Sequence, residues 1–286
     1  MITVRLTDGL GNRLFQVAAL LGYAERWGLE PVFFPGRCEP CSHTESNADI
    51  VAALFPQIRV AWDLGPSLET VVEDADACFT AVERTKPATT AHPIVLRGYF
   101  QAAAYGPSRM PSPNYAAVIS AERRFANTNP GSPKGERLSF LDQHYSVYGW
   151  WVHVRLGDYM ILPHYQIGVV DYLRAALRCA AVHMSPGTTV LVYSDNVDLA
   201  VGLLRGLGSG VDFHGAGTDL TPVETLYAMS LASGGCICTN STFGWWGAAG
   251  SAARAAGGPI YFPCRWSNLS YSAEGIYPPW GTVVNY

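Results

Sequence analysis

Apolar and polar residues alternate from Met1 to Thr7, with Ile2, Val4 and Leu6 on one face, and a period of two predicts a strand. Asp8-Gly-Leu-Gly-Asn-Arg13 interrupts it as a tight glycine turn. The period then lengthens: Leu14, Val17, Ala18, Leu21 and Ala24 recur at helical spacing, and Gly28 stops the helix. Pro31 to Phe34 reads as a second strand, 36 to 47 as a polar loop, and Ile94 to Gln101 as a strand and turn. Residues 48 to 86 hold short pieces with no clear order. Asn127 to Arg137, rich in Asn, Pro, Gly, Ser and charge, reads as a linker or domain boundary.

Beyond it, strands and helices alternate. A strand at 150–156 is followed by a helix from about Asp171 to His183, with Asp171 as N-cap and Leu173, Ala176, Leu177 and Ala180 as its buried stripe. Then come a strand at 189–193, a helix at 197–207, and a helix at 223–232 after Thr221-Pro222. A strand at 235–239, an Ala-rich helix at 243–256 and a strand at 259–262 complete the series. This βαβα order predicts a parallel, doubly wound sheet.

The strand at 150–156 breaks its own pattern. Trp151, His153 and Arg155 share one face, opposite Trp150, Val152, Val154 and Leu156. A buried His and Arg are costly without partners. They stand at the strand's C-terminal end, where open α/β sheets bind ligands, and an arginine presents a planar fork of donors that fits phosphate. An Arg paired to a core carboxylate, with a His bonded to backbone, accounts for the same residues. The other strand ends carry Ser194/Asp195 and Asn240/Ser241/Thr242. Ser241 and Thr242 open a helix, where N–H groups and the dipole favour phosphate, although each taken singly is an ordinary cap. Gly9-x-Gly11 lies between strand and helix in the same manner, but the third glycine of a dinucleotide fingerprint is missing.

Composition narrows the class. The 286 residues suit one large domain or two modest ones, and 49% hydrophobic with 15% charged residues describes a folded chain. A net charge of -4 argues against a nucleic-acid partner. The seven cysteines form no framework. Cys38 and Cys41 are a lone C-x-x-C without a second zinc-ligand pair, and Cys236 and Cys238 read as core residues, so a reducing compartment is expected. No apolar run reaches membrane-span length and no signal peptide is evident, which predicts a cytoplasmic protein without a membrane span. Asn240-Ser-Thr and Asn268-Leu-Ser fit the glycosylation pattern but mean little without a secretion signal. Asp74-Ala-Asp76 resembles a metal-binding carboxylate pair, yet its acidic surroundings read better as a solvated face.

Together the motifs resemble the α-1,2-fucosyltransferases, glycosyltransferase family 11. The matching segments are Asp8-Gly-Leu-Gly-Asn-Arg-Leu-Phe-Gln16, Gly98-Tyr-Phe-Gln101, His153-Val-Arg-Leu-Gly-Asp-Tyr159, Ser194-Asp-Asn196, Met229-Ser230, Asn240-Ser-Thr-Phe-Gly-Trp-Trp-Gly-Ala248 and Pro263-Cys-Arg-Trp266. They span nearly the whole chain in the family's order. The resemblance implies an α/β, GT-B-type fold of two Rossmann-like halves with a cleft between them. Residues 1–137 would form the acceptor side and 138–286 the GDP-sugar side. It further implies GDP-β-L-fucose as donor, a glycan acceptor with terminal galactose, inversion to an α-linkage, and neither cofactor nor metal.

The same resemblance assigns Arg155 to the pyrophosphate, Ser241 and Thr242 to the phosphates, and Asn12 to the cleft. Gly11, His153, Ser194, Asp195 and Asn240 complete the expected donor set. Four positions depart from the family pattern. Leu156 replaces a second arginine, and Asp8 replaces the first glycine of the opening motif. Asn196 replaces an aspartate. Thr225 occupies the position of the acidic guanine reader, which leaves the adjacent Glu224 as the carboxylate for guanine. Arg155 is the expected leaving-group stabiliser, and Asp8 and Asp158 are the base candidates. A different GDP-sugar, or a non-catalytic GDP-sugar or glycan-binding relative, stays open. A nucleotide-dependent oxidoreductase fits less well, because the polar strand ends lie in the other half.

Overall fold

The structure is a computed structural model, which describes residues 1–39, 48–62, 70–73, 85–87, 92–121, 136–253, 258–269 and 273–286. Asp74-Ala-Asp76, Cys41 and most of the expected linker lie outside these. The chain forms two compact units, Met1–Val118 with Tyr271–Ile276, and Ile119–Ser270 with Tyr277–Tyr286. Both are α/β, and among the described residues the strand pairs are parallel, as the alternating order predicts for the second.

In the first unit, β1 (Ile2–Val4) leads through the glycine turn into α1 (Leu10–Trp27). Gly28, at φ 62, ends α1 in the left-handed conformation, its N–H reaching back to Ala24 and Glu25. After β2 (Val32–Phe33) come α2 (Ala48–Leu54), β3 (Arg59–Val60), β4 (Thr70–Glu73) and β5 (Ile94–Arg97). The main sheet runs β1-β5-β4, and a parallel bridge from Ile2 to Pro31 brings the β2–β3 pair beside β1. β1 and β5 are therefore neighbours, and their C-terminal loops carry the Gly-Leu-Gly-Asn and Gly-Tyr-Phe-Gln segments. Helix α3 (Tyr115–Ala121) spans the division between the units.

The second unit starts with α4 (Glu136–Tyr145), followed by β6 (Trp150–Val154), α5 (Val169–Ala181), β7 (Thr189–Ser194), α6 (Val197–Gly206) and β8 (Asp212–Gly215). Then come α7 (Pro222–Ser230), β9 (Gly235–Cys238), α8 (Thr242–Ala252), β10 (Ile260–Pro263) and β11 (Thr282–Val284). The six strands lie in the order β11-β10-β9-β6-β7-β8. Counted within the unit this is 3-2-1-4-5-6 read from the β8 edge, the doubly wound arrangement whose switch point lies between the first and fourth strands. Here those are β6 and β9.

Both faces of β6 are covered. Trp150, Val152, Val154 and Leu156 join Tyr172, Leu173, Ala176 and Leu177 of α5 in one core. On the opposite face, the Trp151 indole donates to the Met229 carbonyl and the Ser251 hydroxyl. Asp171 is not the N-cap of α5. The helix begins at Val169 after Gly168, whose φ of 77 makes the turn without a side-chain cap. Among the described residues, no helix is long and apolar enough to cross a membrane.

Candidate functional site

Parallel pairing fixes which residues meet at the C-terminal edge of the second unit's sheet. His153 is in register with Cys238 on one side and Tyr193 on the other, and Val154 with Ser194. The residues that follow each strand, Arg155, Asp195 and Thr239 to Thr242, thus share one edge at the switch point.

Arg155 is the hub. Its Nε and Nη2 donate to Asp158 Oδ1 at 3.0 and 2.7 Å, and its Nη1 lies 3.2 Å from Asp195 Oδ2. Its backbone N–H donates to Thr239 Oγ1 at 3.1 Å. Asp195 is fixed in turn, accepting from the Leu156 N–H at 2.9 Å through Oδ1. A Cβ at Gly157 would run into Asp195 Oδ2, so glycine is what allows this approach. The arginine side chain keeps 32% of its surface exposed. A fixed, half-open guanidinium at a strand end has donors left over for an oxyanion. Tyr159 lies under it, with the Arg155 Cζ 5.7 Å from the ring centroid.

Ser241 is the N-cap of α8 and its hydroxyl makes no capping bond, while Thr242 is the first helical residue. His153 is buried behind them against Phe243 and Gly244, its Nδ1 without a hydrogen-bond partner among the described residues. A Cβ on Gly244 would lie 2.7 Å from that nitrogen. Burial holds the imidazole neutral, its pKa pushed down to about 4, with the neighbouring Asp195 opposing and Arg155 adding to the shift. Asn240 is buried too, and its amide donates to the Tyr165 and Trp266 carbonyls. It staples the loop after β6 to the loop after β10. Ser194 takes the Asn196 N–H on its hydroxyl, and Asn196 caps α6.

Glu224 and Thr225 lie in the first turn of α7 and are turned to structural tasks. Glu224 is 1% exposed. Its carboxylate accepts from the Thr221 N–H at 2.8 Å, completing a capping box with Thr221, and from Arg137 Nε and Nη2. The Thr225 hydroxyl donates to the Thr221 carbonyl at 2.8 Å. Arg137 and Thr239 are site-supporting residues that sequence reasoning missed. Arg137 sits in the segment read as linker, 87 positions from its partner. Thr239 reads as the last apolar-facing residue of a strand.

The chain is similar to a crystal structure of POFUT1 in complex with GDP-fucose. The two share 12% identity with a TM-score of 0.42, over 91% of this chain and 96% of that one. No family model and no curated protein matches the chain.

In the first unit, Asp8 stands exposed just beyond β1 with φ 58, a left-handed backbone rare for a residue other than glycine. Gly11 is buried in the first turn of α1. Asn12 Oδ1 accepts from Gln101 Nε2 at 2.8 Å, and Gln16 bonds Thr7 and the Gly98 carbonyl. The two motif loops after β1 and β5 are therefore held together by the glutamines that end each motif.

Proposed function

We propose that this protein transfers L-fucose from GDP-β-L-fucose to a hydroxyl of a glycan acceptor, with inversion, in an α-1,2 linkage to terminal galactose. The observation that carries the reading is Arg155. It stands at the switch point of a 3-2-1-4-5-6 sheet, beside an N-terminal helix turn whose N-cap hydroxyl makes no capping bond. Breaking the bond between the sugar and the β-phosphate places negative charge on GDP. The N–H donors that Arg155 has left over and the start of α8 would bond that charge in this reading, which calls for no metal. The sugar passes through an oxocarbenium-like state while the acceptor hydroxyl attacks and loses its proton. In this reading the second unit holds the donor. Asp8 and Asp158 are the base candidates, and Asp158 is already bonded to Arg155.

A second reading has its own observation. The Glu224 carboxylate is engaged by Arg137 and Thr221, and Thr225 by Thr221. That arrangement favours a sugar nucleotide whose base is not read by a carboxylate on α7.

The test is a transfer assay with GDP-fucose, other sugar nucleotides and a panel of galactose- and other sugar-terminated acceptors, with EDTA present. Acceptor mass and GDP release are read together, with Arg155→Ala as control. Fucose gain that persists in EDTA and falls at least about a hundredfold in the variant is expected. Transfer from a different donor alone would favour the second reading, and transfer unaffected by the substitution would overturn the role given to Arg155.

A further inference from the structure

Thr239 is fully buried, between the end of β6 that carries Arg155 and the start of α8. It follows β9, whose pairing with β6 ends with Cys238 opposite His153. The Thr239 N–H adds a further ladder bond, donating to the His153 carbonyl at 3.2 Å. In a regular parallel ladder the next bond would run from the Arg155 N–H to the Thr239 carbonyl. Here the Arg155 N–H donates to the Thr239 hydroxyl oxygen at 3.1 Å. The Thr239 carbonyl accepts from the Ser241 N–H at 2.8 Å instead.

The side chain has thus taken over a main-chain bond. The exchange ends the ladder without leaving the Arg155 N–H unpaired in the interior. It also releases the carbonyl to close the tight turn through Asn240 that brings Ser241 round as the N-cap of α8. The other neighbour of β6 repeats the device. Pairing with β7 ends with Val154 opposite Ser194, and the Leu156 N–H would next meet the Asp195 carbonyl. The Asp195 carboxylate takes that N–H through Oδ1 at 2.9 Å. Side-chain oxygens therefore release β6 from both neighbours at Arg155 and Leu156. Asp195 and Asp158 hold the guanidinium on the β6–β7 side. Thr239 ties the arginine backbone to the β9–α8 side.

We propose that Thr239 is a positioning residue that couples the two parts of the anion site. Its hydroxyl fixes the Arg155 backbone and its carbonyl fixes the turn into Ser241, so that the guanidinium and the helix start meet one diphosphate together. The inference rests on the reading above that this edge holds the diphosphate of a sugar nucleotide. Valine at this position keeps the shape and removes the acceptor. The Arg155 N–H then competes with Ser241 for one carbonyl, and the two parts lose their common register.

The experiment is calorimetric titration of GDP into the full chain as wild type, Thr239→Val, Thr239→Ser, Arg155→Ala and the Thr239→Val/Arg155→Ala double variant. Each is titrated well below its own melting temperature. Thr239→Val should weaken GDP binding about fivefold or more, the scale of one hydrogen bond. Thr239→Ser, which keeps the hydroxyl, should bind within about twofold of wild type. In the Arg155→Ala background the valine should cost about twofold at most, because the residue it positions is gone. Thr239→Ala takes the place of valine if the valine variant does not fold. Wild-type affinity in Thr239→Val, a serine variant as weak as the valine one, or the same factor lost in both backgrounds would overturn the proposal and leave the diphosphate reading standing. A wild type that does not bind GDP would overturn both.

Discussion

Arg155 shows how one side chain can satisfy two opposed demands. Its charge is matched by Asp158 and Asp195, which makes the burial bearable, yet it stays open enough to reach a ligand. The matching depends on Gly157, because any side chain there displaces the Asp195 carboxylate from the arginine. Gly157 has no left-handed backbone to protect, so alanine acts through the Asp195 carboxylate and its bonds to Arg155 and the Leu156 N–H. Gly157→Ala should fold and melt close to wild type while losing about tenfold in transfer rate, roughly 1.4 kcal/mol of transition-state stabilisation. Thermal melting beside kcat/KM checks it, and a rate equal to wild type would mean that the Asp195 contact is dispensable. The sequence made Arg155, Asp158 and Asp195 visible as polar residues at strand ends. It did not reveal that Asp195 serves the arginine, since a short loop residue has the same appearance whether it faces a ligand or a neighbour. Glu224 gives the converse case. A carboxylate three residues after a threonine at a helix start is also the signature of a capping box, and here that role is taken.

At the scale of elements, the close approach of β6 to α8 sets a pH dependence. His153 of β6 is buried under the glycine of α8 and is neutral in the fold, with its pKa pushed down to about 4 from an ordinary 6.5. Between those values the unfolded chain takes up a proton that the folded chain refuses. Stability is thus complete above about pH 6.5 and declines as the pH falls toward 4. At pH 5 this one group costs about 2 kcal/mol. Urea unfolding of wild type and His153→Gln at pH 7.5 and pH 5 should show the wild type losing about that much more than the variant. Equal losses would contradict the burial of the imidazole.

The helices and strands themselves were mostly legible. The change of period from two to 3.6 at Gly9 and the polar punctuation after each strand placed β1, α1, β6, β7, β9 and β10. The pattern failed for β8 and β11, short strands at the two edges of the sheet, where half-exposed residues such as Asp212, His214 and Thr282 dilute the alternation. It failed also for α4, which buries only Leu141 and Tyr145 and so has no stripe to read.

For the whole molecule, the parallel doubly wound sheet of the second unit was expected from the alternation of elements, and it is present. The strand order of the second unit was not readable, because sequence gives the succession of strands and not which pair lies side by side. That pairing places β9 next to β6, and with it brings Ser241 and Thr242 to the edge that Arg155 occupies. The central claim is that this edge holds the diphosphate of a sugar nucleotide. Calorimetric titration of GDP into wild type and Arg155→Ala, at one fixed salt concentration, addresses it most directly. Binding to the wild type, weakened at least about tenfold in a variant that melts like wild type, is the predicted result, a loss of about 1.4 kcal/mol or more. The same affinity in both proteins would contradict it.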